Sequence, residues 1–75
     1  MSLFTLSSLS SGESARVAGV DATASSAKRL ADLGFVPGVV VRMLRAGMPC
    51  IVSVDQTRLG LGRALQYSIM LAKDV

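Results

Sequence analysis

Two rhythms of hydrophobic and polar positions run along this chain. The first has a period of two, the mark of strands with one face on a core. Ala15 to Val20 follows it, with Val17 inward and Arg16 outward. Gly19 weakens that strand and marks a bulge or a close backbone approach. Val39 to Arg45 is rich in β-branched residues and places Val39, Val41 and Met43 on one face and Arg42 on the other. Cys50, Val52 and Val54 then alternate with Ile51 and Ser53, and Thr57, Leu59 and Leu61 with Arg58 and Gly60. Ile69 to Ala72 reads as a last strand. Ala46 to Pro49 turns the chain, Asp55-Gln56 forms a tight connection, and Gly62 to Tyr67 forms a short helical or 3₁₀ connection.

The second rhythm is helical and occurs once. Asp21 to Ser26 is a loop of small and polar residues, and Ser25 or Ser26 is expected to cap a helix running to about Leu33. Ala27, Leu30 and Ala31 fall at i, i+3 and i+4, one apolar stripe that Leu33 extends at its edge. Lys28, Arg29 and Asp32 face elsewhere. Gly34 stands where a left-handed cap residue belongs. Pro37-Gly38 suits the central pair of a type II turn, with proline presetting φ and glycine supplying the positive φ. Before the first strand, Leu6 to Gly12 is an ordered lead-in turning at Ser11-Gly12, with Leu3, Leu6 and Leu9 plugging one end of the core.

Five short strands would leave exposed edges unless the sheet curls, so the expected fold is mainly β: a small five-stranded barrel with one short α-helix between the first and second strands. Seventy-five residues make one domain, 1–75, with one thin core and little room for a deep active site. Cys50 is the only cysteine and there is no histidine, so neither a disulfide nor a zinc cage can staple the fold. Packing alone must hold it. Hydrophobic residues make up 51% of the chain, more than so small a core can cover, which points to a partner or to weak self-association. The charge-free stretch from Leu33 to Val41 is broken by Gly34, Pro37 and Gly38 and falls short of the about 20 apolar residues of a spanning helix. The N-terminus lacks the features of a signal peptide, and with one unpaired thiol the expected location is the cytoplasm.

Catalytic sets are missing. Histidine, the side chain best matched to proton transfer near neutral pH, is absent. Glu13, Asp21, Asp32, Asp55 and Asp74 are dispersed, and Asp55 reads as a turn residue. Cys50 lies between Pro49 and Ile51 with nothing to activate it, and reads as a structural, half-buried thiol. Gly60 and Gly62 lack the third glycine and the lysine of a phosphate loop. Met1, Met43, Met48 and Met70 form no cofactor box: Met43 and Met70 are expected in the core and Met48 in an exposed turn. No enzyme activity, cofactor or metal site is expected. A net charge of +3 is a mild basic excess. Small barrels can bind nucleic acid through stacked aromatics, but Phe4, Phe35 and Tyr67 are not interleaved with basic residues.

The sequence from Leu6 through Gly12 to Val17 resembles the entry and first strand of FeoA-type domains. The sequence from Lys28 through Leu33-Gly34-Phe35 to Pro37-Gly38 resembles their helix and hallmark turn. Arg58-Leu59-Gly60-Leu61 followed by Ile69 is similar to their closing strands. This resemblance implies an SH3-like barrel acting as a small cytoplasmic accessory protein of bacterial ferrous iron uptake. The implied partner is the ferrous iron permease with its GTPase domain (FeoB-type). A related domain is fused to iron- or manganese-dependent regulators, but a chain that begins with Met1 and carries no DNA-binding helices fits the stand-alone form better. Two places differ from the family pattern: the short Ala46–Pro49 loop lacks an acidic residue, and Gly62, Leu65 and Gln66 replace arginine and a more charged turn.

The helix from about Ser26 to Leu33 is the one element with a mixed apolar and basic face, mounted by Gly34 and Pro37-Gly38. The expected partner-binding residues are Lys28, Arg29, Leu30, Leu33 and Phe35, with Leu30, Leu33 and Phe35 also candidates for purely core roles. The alternative reading is a nucleic-acid-binding small β-barrel.

Overall fold

The structure is a computed structural model that describes residues 3–21 and 23–73. Met1 and Asp74 lie outside the described residues. The elements run β1 (Leu3–Thr5), a 3₁₀ turn (Leu6–Ser8), β2 (Ser14–Val20), α1 (Ala24–Asp32), β3 (Val40–Arg45), β4 (Cys50–Val54), β5 (Thr57–Leu61), α2 (Arg63–Ser68) and β6 (Ile69–Ala72). The strands form one antiparallel sheet in the order β1-β6-β2-β3-β4-β5. The sheet curls around its core without joining its two edges, β1 and β5, so the barrel stays open.

Alternation does what the sequence requires. On β4 the side chains of Cys50, Val52 and Val54 are buried, and those of Ile51 and Ser53 are half-buried on the other face. Ala15, Val17, Val41, Met43, Ile69 and Leu71 join them inside. Both residues of the Asp55-Gln56 connection have positive φ, the backbone of a two-residue hairpin turn matched to the strand twist. The register of β2 against β6 shifts between Val17 and Gly19. Gly19 therefore marks a bulge; an added Cβ there would meet nothing within 4 Å.

Three expectations change. A sixth strand, β1, pairs with β6 through Leu3↔Ala72, Phe4↔Leu71 and Thr5↔Met70. The helix thus lies between the second and third strands. The same strand corrects the reading of Leu3, which is exposed while Leu6 and Leu9 plug the core. A strand has period two, so Phe4, not Leu3, turns toward the core. The Gly62–Tyr67 connection is α2, displaced by one residue.

Candidate partner-docking site

Helix α1 begins earlier than Ser25 or Ser26 would allow. Thr23 is its cap, and its hydroxyl accepts from the Ser26 N–H at 3.4 Å. Ser26 therefore sits inside the first turn as the donor, while alanine, the best helix former, takes the first helical position. The far end closes in a Schellman motif. The Phe35 N–H donates to Leu30 O at 2.9 Å and the Gly34 N–H to Ala31 O at 3.0 Å. Gly34 takes φ +106, a conformation that favours glycine, and a Cβ there would stand 3.0 Å from Val54 Cγ1 and force that buried side chain to shift. The Val39 N–H closes the Pro37-Gly38 turn on Val36 O at 3.2 Å, with Gly38 at φ +94. Arg16 Nη1 donates to Gly38 O at 2.8 Å and ties that turn to β2.

This geometry separates the residues singled out from the sequence into two groups. Leu30 is 0% and Phe35 1% exposed. Both are core residues and offer no surface to a partner; the cap that joins their backbones also presses both side chains into the barrel. Lys28, Arg29 and Leu33 are exposed. Leu33 is 38% exposed and Val36, in the turn beyond it, 44%. Sequence reasoning passed over Val36, and no sequence signal separates it from Phe35, its buried neighbour between Gly34 and Pro37. A shallow hollow of about 250 Å³ lined by Ser25, Ser26 and Arg29 opens beside the guanidinium. The face therefore combines two cationic heads, two exposed apolar side chains and a polar recess.

Other candidate chemistry is inert or structural. Cys50 is fully buried, and burial pushes its thiol above the usual range. Gln66 is the one buried polar side chain among the described residues. Its amide donates to Leu61 O at 2.9 Å and Gly47 O at 3.1 Å, and approaches Met48 Sδ at 3.9 Å. It joins the two places where the sequence departs from the FeoA pattern. The departure itself was the only sequence signal for it. Among the described residues no three acidic or cysteine side chains converge where a metal ion could sit. No helix of the described residues is long and apolar enough to cross a membrane.

A family model for the FeoA domain matches residues 4–73. The chain belongs to the FeoA domain family. This FeoA domain is 36% identical to the FeoA of Stenotrophomonas maltophilia, whose crystal structure is a zinc complex described as a procaryotic SH3 domain protein; the match covers 92% of this chain and 89% of that one, with a TM-score of 0.84. It is 32% identical to the FeoA protein of Chlorobium tepidum over 93% of this chain and 70% of that one, with a TM-score of 0.86. The IdeR of T. acidophilum shares the fold, at 21% identity and a TM-score of 0.88, with 99% of this chain matching 35% of that one. No curated protein matches the sequence. The family is one of small SH3-like domains associated with ferrous iron transport, not a known family of enzymes.

Proposed function

We propose that this FeoA domain is a cytoplasmic accessory protein that binds the cytoplasmic part of a ferrous iron permease and modulates it. Family membership supplies the transport context. The observation that supports the docking role is the α1 face: Lys28 and Arg29 stand exposed on the helix and Leu33 at its C-cap, while buried Leu30 and, just past the cap, buried Phe35 anchor it. An apolar centre with a basic rim suits a protein interface, and the planar guanidinium of Arg29 can make several directed hydrogen bonds to a carboxylate. Val36 extends the apolar centre. In this reading residues 1–75 form one FeoA-type domain. Suggestion of a role as a ferrous iron transport activating factor belongs to the Stenotrophomonas maltophilia relative and agrees with this reading.

The nucleic-acid alternative lacks a stacking platform. Phe35 is buried and Phe4 half-buried, which leaves Tyr67 as the exposed aromatic among the described residues. The test is direct binding of the purified domain to the purified GTPase portion of the permease, with the GTP hydrolysis rate followed in the same titration. Saturable binding with a changed rate is expected. Absence of binding to that portion and to the intact permease in detergent contradicts the proposal.

A further inference from the structure

A second concentration of positive charge lies away from α1, on the outer face of β3, β4 and β5. The register sets Arg42 opposite Ser53 and Ser53 opposite Arg58. Residues opposite one another share a face, and neighbouring strands stand about 4.8 Å apart, so the two arginines rise about 10 Å from each other. The next row sets Arg45 opposite Ile51 and Ile51 opposite Gly60. The buried side chains of Met43, Val52 and Val54 occupy the opposite face. No carboxylate among the described residues pairs with Arg42, Arg45 or Arg58, whereas Lys73 pairs with Glu13.

These rows end at a sheet edge. Asp55 and Gln56 have φ of 47 and 66, a two-residue type I′ turn, which closes on the hydrogen-bonded pair Val54–Thr57. Alternation then makes Ser53–Arg58 and Ile51–Gly60 the non-hydrogen-bonded pairs. The N–H and C=O groups of Arg58 and Gly60 consequently point away from the sheet, where no backbone group of a described residue meets them. The carbonyl of Leu61, just beyond, is taken by Gln66. Gly60 also leaves its flank bare: a Cβ there would stand 3.6 Å from Ile51 Cδ1. Ile51 in turn lines a cleft of about 340 Å³ with Arg45, Ala46, Gly47, Met48 and Pro49.

We propose that the free edge of β5 takes up an extended, acidic segment of a protein partner as an added strand. One side chain of that segment, apolar, crosses Gly60 onto Ile51. The side chain two residues away on the same face is a carboxylate and stands beside Arg58, in the field of Arg42. Main-chain bonds to Arg58 and Gly60 supply the pairing, and the alternate side chains supply the selectivity. Charge complementarity selects an acidic occupant. A protein segment is favoured over nucleic acid because both rows lack an aromatic residue on which a base could stack. This edge is independent of the α1 face and of the permease as partner.

The probe is a capped heptapeptide, Thr-Thr-Leu-Thr-Glu-Thr-Thr, titrated into ¹⁵N-labelled protein. Amide shifts and slowed hydrogen exchange are expected at Arg58 and Gly60. Methylating alternate backbone nitrogens of the peptide should weaken binding about tenfold by removing ladder bonds. Arg58→Glu, an exposed change checked for folding by the same spectrum, should lose about tenfold, and a peptide with Lys in place of Glu should recover it. Equal binding of the methylated peptide, shifts confined to α1, or a uridine oligonucleotide binding this face when the peptide does not, each overturn the proposal.

Discussion

The two helices of this domain are attached in different ways. Helix α1 is held by apolar burial: Leu30 reaches the core, and Phe35 follows it there through the glycine cap. Its remaining surface is free to present Lys28, Arg29 and Leu33. Helix α2 adds a polar brace to the half-buried Leu65 that packs against the core. Gln66 enters the interior and spends its amide hydrogens on the carbonyls of Leu61 and Gly47. The Ser68 hydroxyl donates to Ala64 O at 2.8 Å and turns back on α2's own backbone. The first arrangement frees a face for recognition. The second locks the end of β5 to the β3–β4 loop.

Breaking the apolar anchor should have the largest effect. Leu30→Ala should cost about 2–5 kcal/mol, because the cavity adds to the lost transfer energy. Thermal and denaturant unfolding read it directly, and a cost below about 1 kcal/mol would mean α1 is not anchored by this residue. Breaking the brace comes next. Gln66→Leu keeps the volume but leaves two carbonyls without their donor, and should cost about 1–3 kcal/mol. Hydrogen exchange at Gly47 and Leu61 should quicken more than at α1; uniform quickening would show that α2 is no local brace.

Loss of the α1 cap should be smaller. The Thr23 bond is long at 3.4 Å, so Thr23→Ala should cost about 0.5–1 kcal/mol and fray the first turn alone. Smallest of all is the exposed pair of Lys73 with Glu13. Lys73 Nζ lies 2.9 Å from the Glu13 carboxylate, and the Ser10 N–H donates to it at 2.7 Å. Lys73 first, then the Ser10 N–H, lowers the Glu13 pKa from 4.5 to about 2. A lowered folded-state pKa stabilises the fold above the unfolded value and loses that contribution as pH falls toward the folded one. The difference in Tm between parent and Glu13→Gln should therefore shrink between about pH 4.5 and 2. A difference that grows on acidification would contradict the sign.

The helices also differ in how legible they were. Alternation marked every strand from β2 onward, and Gly34 and Pro37-Gly38 marked the α1 exit, because each needs a backbone that few other residues adopt. Strand β1 was missed because three residues are too few to show a period. Leu30 and Phe35 could be placed near the helix but not assigned to core or surface, since stripe position gives a direction and not a depth. Gln66 gave no sign of burial at all: a glutamine's place depends on carbonyls brought to it from Gly47 and Leu61, and that meeting exists only in the folded chain.

The docking claim rests on α1, and Arg29→Glu tests it most directly. The side chain is exposed, so the fold should be unchanged to within about 0.5 kcal/mol. Affinity for the permease's cytoplasmic portion should fall by about 1–3 kcal/mol. Unfolding and affinity are measured on the same preparations of parent and variant. A variant that folds as well as the parent and binds less tightly supports α1 as the docking face. A variant that binds as well as the parent makes α1 a brace like α2 and contradicts the account.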